Sequence, residues 1–255
     1  MAIQPYLRTE DRRRRCNAAF VLAGLGDERG VEILISELQD TERGLRALEE
    51  EARYVGPSPR DPRALGIQQV RSDRYYAALL LGELREKAAV PALIAATRDE
   101  SINDRVATSL GEIGDVSAIP ALREMAVAYP EQRVWAGYGL AALGEPDGFA
   151  ILNDVALSHE RWTERRYAVD LLGKTMDQRS TPILLKSLND EHANVRVSAV
   201  RSLAEVGDPE ALPALRASLD DHEVTSVNAP TTVAEEAEKA IAAIESNSRD
   251  VDEQR

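Results

Sequence analysis

Two histidine–glutamate steps are the residues of this chain best suited to metal chemistry. They are His159–Glu160 and His222–Glu223, and imidazole nitrogens together with carboxylate oxygens are common ligands of transition metals. The sequence places the first step in a loop that precedes a helix, and the second in an insertion between repeated segments. We therefore expect solvated loop histidines at both places and no metal site.

Other catalytic arrangements are absent from the sequence. It contains no glycine-rich nucleotide loop, no nucleophile elbow and no zincin histidine pair. Cys16 is the only cysteine, so an intrachain disulfide and a thiolate metal cluster are both excluded. We expect Cys16 to pack as a small apolar residue. These observations predict no catalytic residue and no cofactor.

The charge balance narrows the classes of partner. The formal net charge is −13, which repels nucleic acid and anionic membrane surfaces, so neither is the expected partner. The basic run Arg12–Arg15 is bracketed by Glu10 and Asp11, which favours a solvated cap helix; a patch for an acidic partner is the alternative. No apolar stretch approaches the roughly 18 residues of a membrane span, and the first residues lack a signal-peptide core. We therefore expect a cytoplasmic protein.

A turn of the type Leu-Gly-Asp recurs about every thirty residues and predicts the elements that position the side chains. Its central positions are Gly26, Arg85, Gly114, Gly144, Gly173 and Gly207, with almost two periods between the first two. Apolar residues stand one, four and eight residues before most of these positions, which places them on one stripe of a helix. The glycine is expected to end that helix, and the buried stripe is expected to pack against neighbouring repeats.

A second helix is expected to begin shortly after each turn. Pro91, Pro120 and Pro213 each lie six residues after the turn position, and proline suits the first turn of a helix. Pro182 lies nine residues after Gly173, which implies three extra residues in that repeat. The repeating unit is therefore predicted to be helix–turn–helix, and the sequence shows no strand pattern.

Two segments carry this pattern most completely, NDEHANVRVSAVRSLAEVGDPEALPALRASL and NDRVATSLGEIGDVSAIPALREM. They resemble short HEAT repeats of the phycobilisome-lyase-like type. The resemblance covers residues 12–40 and 74–220, with a divergent last pair near 233–245. It implies an all-α fold, a right-handed α–α superhelix of about six to seven helix pairs.

The breaks in the repeat predict the domain organisation. We expect one solenoid domain over residues 1–245, with insertions at 41–73 and 221–232. The first insertion has the pattern of a short helix followed by a loop rich in proline and glycine. Residues 246–255 are expected to form a disordered tail.

A series of arginines accompanies the turns. Eleven residues before the turn positions stand Arg15, Arg74, Arg133 and Arg196, whereas Asn103 and Trp162 interrupt the series. Asp190 precedes Arg196 by six residues. In the HEAT repeats that the chain resembles, aspartate and arginine at this spacing bond between neighbouring repeats. We therefore expect a structural arginine ladder; a role of these arginines in binding is the alternative.

The exposed stripe of the same helices carries large rings, although aromatic residues make up only 4% of the chain. This stripe comprises the positions nine, six and two residues before each turn. Amphipathic rings flanked by arginine are typical of the residues that dominate protein interfaces. In a right-handed solenoid we expect the stripe on the concave side, and we predict that it binds a protein or peptide partner. The predicted binding residues are Tyr76, Arg105, Trp135, Tyr138, Tyr167 and Arg201.

Several alternatives remain open beside this leading hypothesis of a non-enzymatic adaptor. Some of the rings could instead fill grooves between helices. A protein that resembles the phycobilin lyases, as an enzyme or an accessory protein, would stack a tetrapyrrole on the concave rings. HEAT-like alkylpurine DNA glycosylases use a basic concave surface, which the net charge opposes. Deoxyhypusine hydroxylase, a di-iron enzyme that resembles the chain in fold, uses four histidine–glutamate pairs, and this sequence has two. The sequence does not determine the oligomeric state.

Overall fold

The chain folds into helices that pack side by side in two compact units, Met1–Gly139 and Leu140–Arg255. The computed structural model describes residues 4–9, 11–40, 62–225 and 230–253. Within those residues there is no strand, and a single isolated β-bridge joins Val224 to Thr232. None of the helices in these ranges combines the length and the apolar composition that a membrane span requires.

Thirteen α-helices account for most of the described residues. Those of the first unit are α1 (Arg12–Gly24), α2 (Glu28–Gln39), α3 (Pro62–Glu83), α4 (Val90–Ala96), α5 (Asn103–Ile113), α6 (Ile119–Ala128) and the greater part of α7 (Arg133–Ala142). Those of the second unit are α8 (Pro146–Ser158), α9 (Trp162–Lys174), α10 (Thr181–Ser187), α11 (Ala193–Val206), α12 (Leu212–Ala217) and α13 (Val233–Glu253). Short 3-10 helices lie at Gln4–Arg8, Lys87–Ala89, Val116–Ala118, Pro130–Gln132, Gln178–Ser180, Pro209–Ala211 and Ser218–Asp220.

Consecutive helices pair, and the odd-numbered helices also pack on one another. In the first unit α1 packs against α2 and α3, and α3 packs against α5. In the second unit α9 packs against α8 and α11, and α11 packs against α13. The predicted all-α architecture of repeated helix pairs is confirmed.

Leucine fills the centre of each repeat. The residues four positions before the turns are Leu22, Leu81, Leu110, Leu140, Leu172 and Leu203, and none is more than 2% exposed. Burying each of these side chains contributes about 2 kcal/mol to folding, before the entropy cost of ordering it. The cysteine is also buried, as expected from its apolar character.

Each odd-numbered helix from α1 to α11 is followed by a residue with positive φ. These turn residues are Gly26, Arg85, Gly114, Gly144, Met176 and Gly207. The turn after α1 shows the bonding, since Gly26 N donates to the Ala23 carbonyl at 2.9 Å and Asp27 N donates to the Leu22 carbonyl at 3.0 Å. This pattern closes the helix end as a left-handed C-cap does.

The prediction that Gly173 is a turn residue is wrong. Gly173 lies inside α9, and the left-handed position is taken by Met176, with φ of 49°. With Met176 as the turn residue, Pro182 follows it by six residues, as the prolines of the other repeats follow theirs. The three extra residues that the sequence implied are therefore not an insertion. A left-handed conformation costs a residue with a side chain about 1 kcal/mol, which the turn tolerates here.

Gly173 serves a close helix contact instead. A Cβ atom at this position would lie 2.5 Å from Ser202 Oγ, which donates a hydrogen bond to the Val169 carbonyl at 3.0 Å. Gly82 repeats this arrangement in the first unit, where a Cβ would lie 2.7 Å from Ser109 Oγ. Glycine in these two helices therefore permits the next odd-numbered helix to approach.

An acidic residue after each of five turns caps the helix that follows. The capping residues are Asp27, Glu86, Asp115, Asp177 and Asp208. Each carboxylate accepts a hydrogen bond from the backbone nitrogen two residues later, at 3.1 Å for Arg29 and 2.8 Å for Arg179. Hydrogen bonds from Ser117 hold the pKa of Asp115 below its ordinary value. Capping explains why the recurring turn contains aspartate after glycine.

The irregular segments differ from their sequence-based description. Helix α3 begins at Pro62, so residues 62–73 of the expected first insertion are helical and continuous with the repeat; residues 41–61 lie outside the described residues. A backbone hydrogen bond links two parts of the second insertion, since Thr225 N donates to the Thr231 carbonyl at 2.9 Å. Where we expected a disordered tail, α13 continues to Glu253, and no glycine or proline interrupts it.

Candidate functional site

The fifth repeat contains an arginine of the ladder that the sequence analysis missed. Counted from Met176, the position eleven residues before the turn is Arg165 and not Trp162. Arg165 Nε and Nη2 donate to the two carboxylate oxygens of Asp190 at 2.7 and 3.0 Å. Its Nη1 donates to the His159 carbonyl at 2.9 Å. The six-residue interval before Pro182 was the signal that could have found it.

Arg196 repeats this geometry in the next helix pair. Its Nε donates to Asp221 at 2.7 Å, its Nη2 donates to Glu223 at 2.7 Å, and its Nη1 donates to the Asp190 carbonyl at 2.8 Å. Asp190 therefore bonds to Arg196 through its backbone, while its carboxylate binds Arg165. One aspartate thus links two successive arginines, and both contacts are of a structural kind.

The first unit has the same contacts at two positions of the ladder. Arg15 Nε donates to the Glu37 carboxylate at 2.5 Å. Arg74 binds the Asp99 carboxylate and donates to the Leu38 carbonyl at 2.8 Å. Both arginines are largely enclosed, with 19% and 9% of their side chains exposed. These contacts leave little of either side chain for a partner.

The arginine ladder is interrupted at α5, in the middle of the first unit. Asn103 occupies the arginine position of α5, is fully buried, and has no hydrogen-bond partner for its side-chain amide among the described residues. Ala128 stands twenty-five residues later, the distance at which Arg74 meets Asp99. Both members of the usual pair are therefore missing. Arg133, the next arginine of the ladder, is half-buried.

The positions nine, six and two residues before each turn residue form what we call the odd-helix face. In the first unit Tyr76 and Trp135 occupy the nine-residue position of α3 and α7, and both rings are half-buried. The Tyr76 hydroxyl donates to Asn17 Oδ1 at 2.6 Å, which fixes its ring against α1. Each ring therefore presents part of its surface to solvent, and that of Tyr76 does so from a position fixed by a hydrogen bond.

Tyr138 was predicted to lie exposed on this face, and that prediction is wrong. Only 5% of the residue is accessible. Burial raises the pKa of Tyr138, and the neighbouring Glu112 raises it further, while Arg105 opposes the shift. The ring therefore lies against α5, because adjacent odd-numbered helices come close enough to cover this position. Tyr138 supports the face and does not form its surface.

Arg105 lies at the nine-residue position of α5 with 18% of its side chain exposed. Its guanidinium carbon is 5.6 Å from the centre of the Tyr75 ring, a cation–π distance. The Glu112 carboxylate is 3.8 Å from Nη1, too far for a hydrogen bond. Its Nε is enclosed and has no acceptor among the described residues. Arg105 is thus positioned by stacking more than by hydrogen bonding.

The odd-helix face of the second unit is dominated by charge. Tyr167 is 38% exposed, with the Arg166 guanidinium carbon 4.8 Å from its ring centre. Arg201 Nε donates to the Glu236 carboxylate of α13 at 2.9 Å, and Lys239 Nζ donates to the same carboxylate at 2.7 Å. These hydrogen bonds, chiefly the one from Arg201, lower the pKa of Glu236 to about 2. Arg201 therefore fixes the last helix, although 55% of its side chain remains exposed.

Two carboxyl groups on this face hold protons more tightly than usual. Burial raises the pKa of Asp170 on α9, and Ser198 and Arg166 oppose the shift. Burial and the nearby Asp170 raise the pKa of Glu205 on α11. The corrected register puts Asp170 six residues before its turn, a position that counting from Gly173 had assigned to Tyr167.

The histidines take part in local structure. His159 Nδ1 accepts a hydrogen bond from Arg161 N at 3.2 Å. His192 stacks on Trp162, with ring centres 4.0 Å apart and planes inclined by 13°. His222 is exposed. In the part of the chain that the structure describes, no three histidine, cysteine, aspartate or glutamate side chains are grouped as metal ligands.

The arginines of the basic run at the start of α1 make different kinds of contact. Arg15 belongs to the ladder, and Arg14 pairs with Asp11 at 3.2 Å while 71% of its side chain remains exposed. The Arg13 guanidinium carbon lies 5.3 Å from the centre of the Tyr76 ring. The run therefore includes one arginine beside the odd-helix face.

Solved structures of other proteins match the chain, one of them closely enough to show a shared fold. One is the complex of CpcE and CpcF of phycocyanin lyase from Nostoc sp. PCC7120. The match covers 95% of this chain and 93% of the matched chain of the complex, with a TM-score of 0.54 and 20% sequence identity. Human deoxyhypusine hydroxylase with glycerol matches over 88% and 99% at a TM-score of 0.31 and 19% identity. An engineered protein matches over 95% and 88% at a TM-score of 0.38 and 17% identity. The last two scores are too low to support any conclusion, and the first likeness concerns the fold alone. No curated protein matches the chain in sequence.

Family models match the repeats themselves. The model of HEAT repeats matches residues 71–141 and 149–234, which together make up more than half of the chain. The model of the PBS lyase HEAT-like repeat matches residues 14–40. The matched ranges contain five of the six left-handed turns described above, all except the one at Gly144, and the expected resemblance is confirmed. The chain belongs to the HEAT-repeat family.

Proposed function

We propose that this protein is a non-enzymatic binding module that holds a protein partner on its odd-helix face. One observation carries the proposal: accessible rings recur at the same repeat position, nine residues before the turn, at Tyr76, Trp135 and Tyr167. An arginine lies over two of them, Arg13 at 5.3 Å and Arg166 at 4.8 Å. Aromatic residues and arginine are enriched among the residues that dominate binding energy at interfaces.

The face suits binding because its side chains are already positioned. The Tyr76 hydroxyl bonds to Asn17, and Tyr138 fills the space between α5 and α7 beneath the face. A partner that meets such a surface loses less free energy in ordering side chains than one that meets a mobile surface. Arg105 and Arg201 would supply polar contacts at the edges of the rings.

The similarity to solved structures supports a protein as the partner. The neighbour from Nostoc is a complex of two proteins, CpcE and CpcF, and it resembles this chain along nearly its full length. HEAT-type solenoids in general use stacked helix pairs as extended binding surfaces. In this proposal the partner binds the odd-helix face of a single unit, and no chemistry is required of the protein.

Affinity capture from native lysate with quantitative mass spectrometry tests this proposal. The double variant Tyr76→Ala/Trp135→Ala should lose most of the captured partner, because a single interface ring is worth about 2 kcal/mol, or about thirtyfold in affinity. The matched control is Val116→Ala/Val127→Ala, which removes apolar side chains that are 66% and 83% exposed next to or on an even-numbered helix. Equal loss of the partner from both variants, or from neither, would refute the proposal.

A second candidate is a role like that of a phycobilin lyase. It is favoured by the similarity to the phycocyanin lyase complex and by the PBS lyase HEAT-like repeat at residues 14–40. The rings of the odd-helix face would then stack on a tetrapyrrole. Titration with phycocyanobilin should shift its visible absorbance band in the wild type and not in Trp135→Ala. An unchanged spectrum with the wild type would reject this candidate and leave the first intact.

A further inference from the structure

Arg105 lacks the close carboxylate that other enclosed arginines of the chain have. Arg165 and Arg196 each donate to a carboxylate at 2.7 Å. Among the described residues the nearest acidic contact of Arg105 is Glu112, whose Oε1 lies 3.8 Å from Nη1. A guanidinium carries five N–H donors in a rigid fork. The donors of Arg105 are therefore underused in the unbound protein.

The surroundings hold this guanidinium in place without supplying close acceptors for its N–H groups. Tyr75 lies 5.6 Å from its carbon and supports it by stacking. Nε is enclosed, whereas the terminal nitrogens Nη1 and Nη2 are not, and 18% of the side chain is accessible. Arg105 also lies on α5, which packs against α3, the helix of Tyr76, and comes close to α7, the helix of Trp135, where a Cβ on Gly139 would lie 2.8 Å from the Ala107 carbonyl. The odd-numbered helices on both sides of α5 in the chain therefore each carry a half-buried ring of the face, Tyr76 and Trp135.

A second arginine lies beside this part of the face, next to Tyr76. Arg13 lies over the Tyr76 ring, and no acidic side chain of the described residues is within ion-pair distance of it. The acidic residues of this face in the first unit are Glu83 and Glu112, which stand two residues before their turns, whereas Arg105 stands nine residues before its turn and Arg13 near the start of α1. Charge complementarity selects a partner with negative side chains at this place.

We propose that the odd-helix face of the first unit binds an acidic segment of the protein partner, with one aspartate or glutamate carboxylate held by Nη1 and Nη2 of Arg105. This inference rests on the proposed function, since it names the partner chemistry of the same face. The paired N–H groups match the two oxygens of a carboxylate, which lysine cannot do. Apolar side chains beside the carboxylate would contact Tyr76 and Trp135.

Selection from a phage library of random peptides of about twelve residues tests the inference. Peptides selected on the wild type should be enriched in aspartate and glutamate over the starting library, and selection on Arg105→Met should lose that enrichment. A selected peptide is then synthesised in its original form and with glutamine and asparagine in place of its acids. Its affinity is read from the fluorescence of Trp135 in a Trp162→Phe background, which leaves one indole.

We expect the amide form of the peptide and the Arg105→Met variant each to weaken binding by about tenfold or more. Arg105→Lys should recover part of the loss, because it restores charge without the paired donors. Arg216→Met is the control, since Arg216 is 56% exposed, pairs with Glu245, and belongs to the even-numbered helix α12 of the second unit. Circular dichroism checks that Arg105→Met retains its helices. If Arg105→Met is unfolded, the test rests on Arg105→Lys, which should bind the selected peptide more weakly than the wild type does.

Three results would overturn the inference. They are selected peptides without acidic enrichment, the same enrichment on Arg105→Met, and no peptide selected at all. The proposed function is judged separately by capture of the partner from lysate. Capture that survives Arg105→Met but is lost in Tyr76→Ala/Trp135→Ala would refute the acidic segment and leave the binding module standing.

Discussion

Removing Arg165 should destabilise the second unit strongly. Its side chain is 8% exposed, and it makes two hydrogen bonds to Asp190 and one to the His159 carbonyl. Methionine can keep much of the packing of the aliphatic stem but leaves the Asp190 carboxylate without its cation. Breaking a buried ion pair on one side costs about 3–5 kcal/mol. We expect Arg165→Met to lower the free energy of unfolding by an amount in this range.

The coupling between the two residues tests the reason for that loss. Asp190→Asn removes the carboxylate, and the double variant removes both charges together. If the ion pair is responsible, the double variant should be more stable than the sum of the single losses predicts, by about 1–3 kcal/mol. Urea denaturation followed by the fluorescence of Trp162 reports on this unit, in a Trp135→Phe background that leaves one indole.

The matched control replaces an exposed ion pair of the same unit. Arg216 Nη2 lies 2.8 Å from Glu245, with 56% of the arginine exposed. Exposed pairs contribute about 0–1 kcal/mol, so Arg216→Met should change stability little. An Arg165→Met variant within about 1 kcal/mol of the wild type, with no coupling to Asp190, would refute the corrected register of the ladder.

Three further predictions concern single positions. Glu236→Gln should destabilise the protein by about 2 kcal/mol at neutral pH, after allowance for the solvent around Arg201 and Lys239. Because the folded pKa of Glu236 is lowered from 4.5 to about 2, its contribution is present above pH 4.5 and is lost towards pH 2, where urea titrations of variant and wild type should converge. Met176→Gly should raise stability by about 0.5–1 kcal/mol by relieving the left-handed conformation, and Met176→Ala should bring no gain in thermal melts. Tyr138→Ala should cost about 3 kcal/mol by opening a core cavity, whereas Tyr76→Ala should cost less in the same denaturation assay.

The helix pairs could be predicted because their signals are local. The Leu-Gly-Asp turn combines a residue that tolerates positive φ with one that caps the next helix, and both requirements lie within a few residues. The buried leucine four residues before each turn follows from helical periodicity alone. Neither feature depends on which other helix packs nearby.

The fifth turn could not be assigned from glycine alone. Gly173 is required by the approach of Ser202 from another helix, which a single repeat does not reveal. Met176 adopts the left-handed conformation without the residue type that normally marks it. Only a second landmark, the six-residue interval before Pro182, distinguishes the two assignments.

Burial on the odd-helix face depends on neighbouring helices. Periodicity places Trp135 and Tyr138 of α7 on the same exposed stripe, yet the first is half-buried and the second is 5% exposed. The difference arises because α7 approaches α5 closely next to Tyr138, where a Cβ on Gly139 would lie 2.8 Å from the Ala107 carbonyl. The underused donors of Arg105 likewise follow from distances to another residue and not from its position in the repeat.

Photocrosslinking identifies which face of the protein meets a partner. p-Benzoyl-phenylalanine is introduced in place of Trp135 on the odd-helix face or in place of Val127, which is 83% exposed on the even-numbered helix α6. The two proteins are irradiated in native lysate, and crosslinked proteins are identified by mass spectrometry. A partner on the odd-helix face predicts one recurrent crosslinked protein from position 135 and none from position 127. The same protein crosslinked from position 127, with none from position 135, would show that the odd-helix face is not the binding surface.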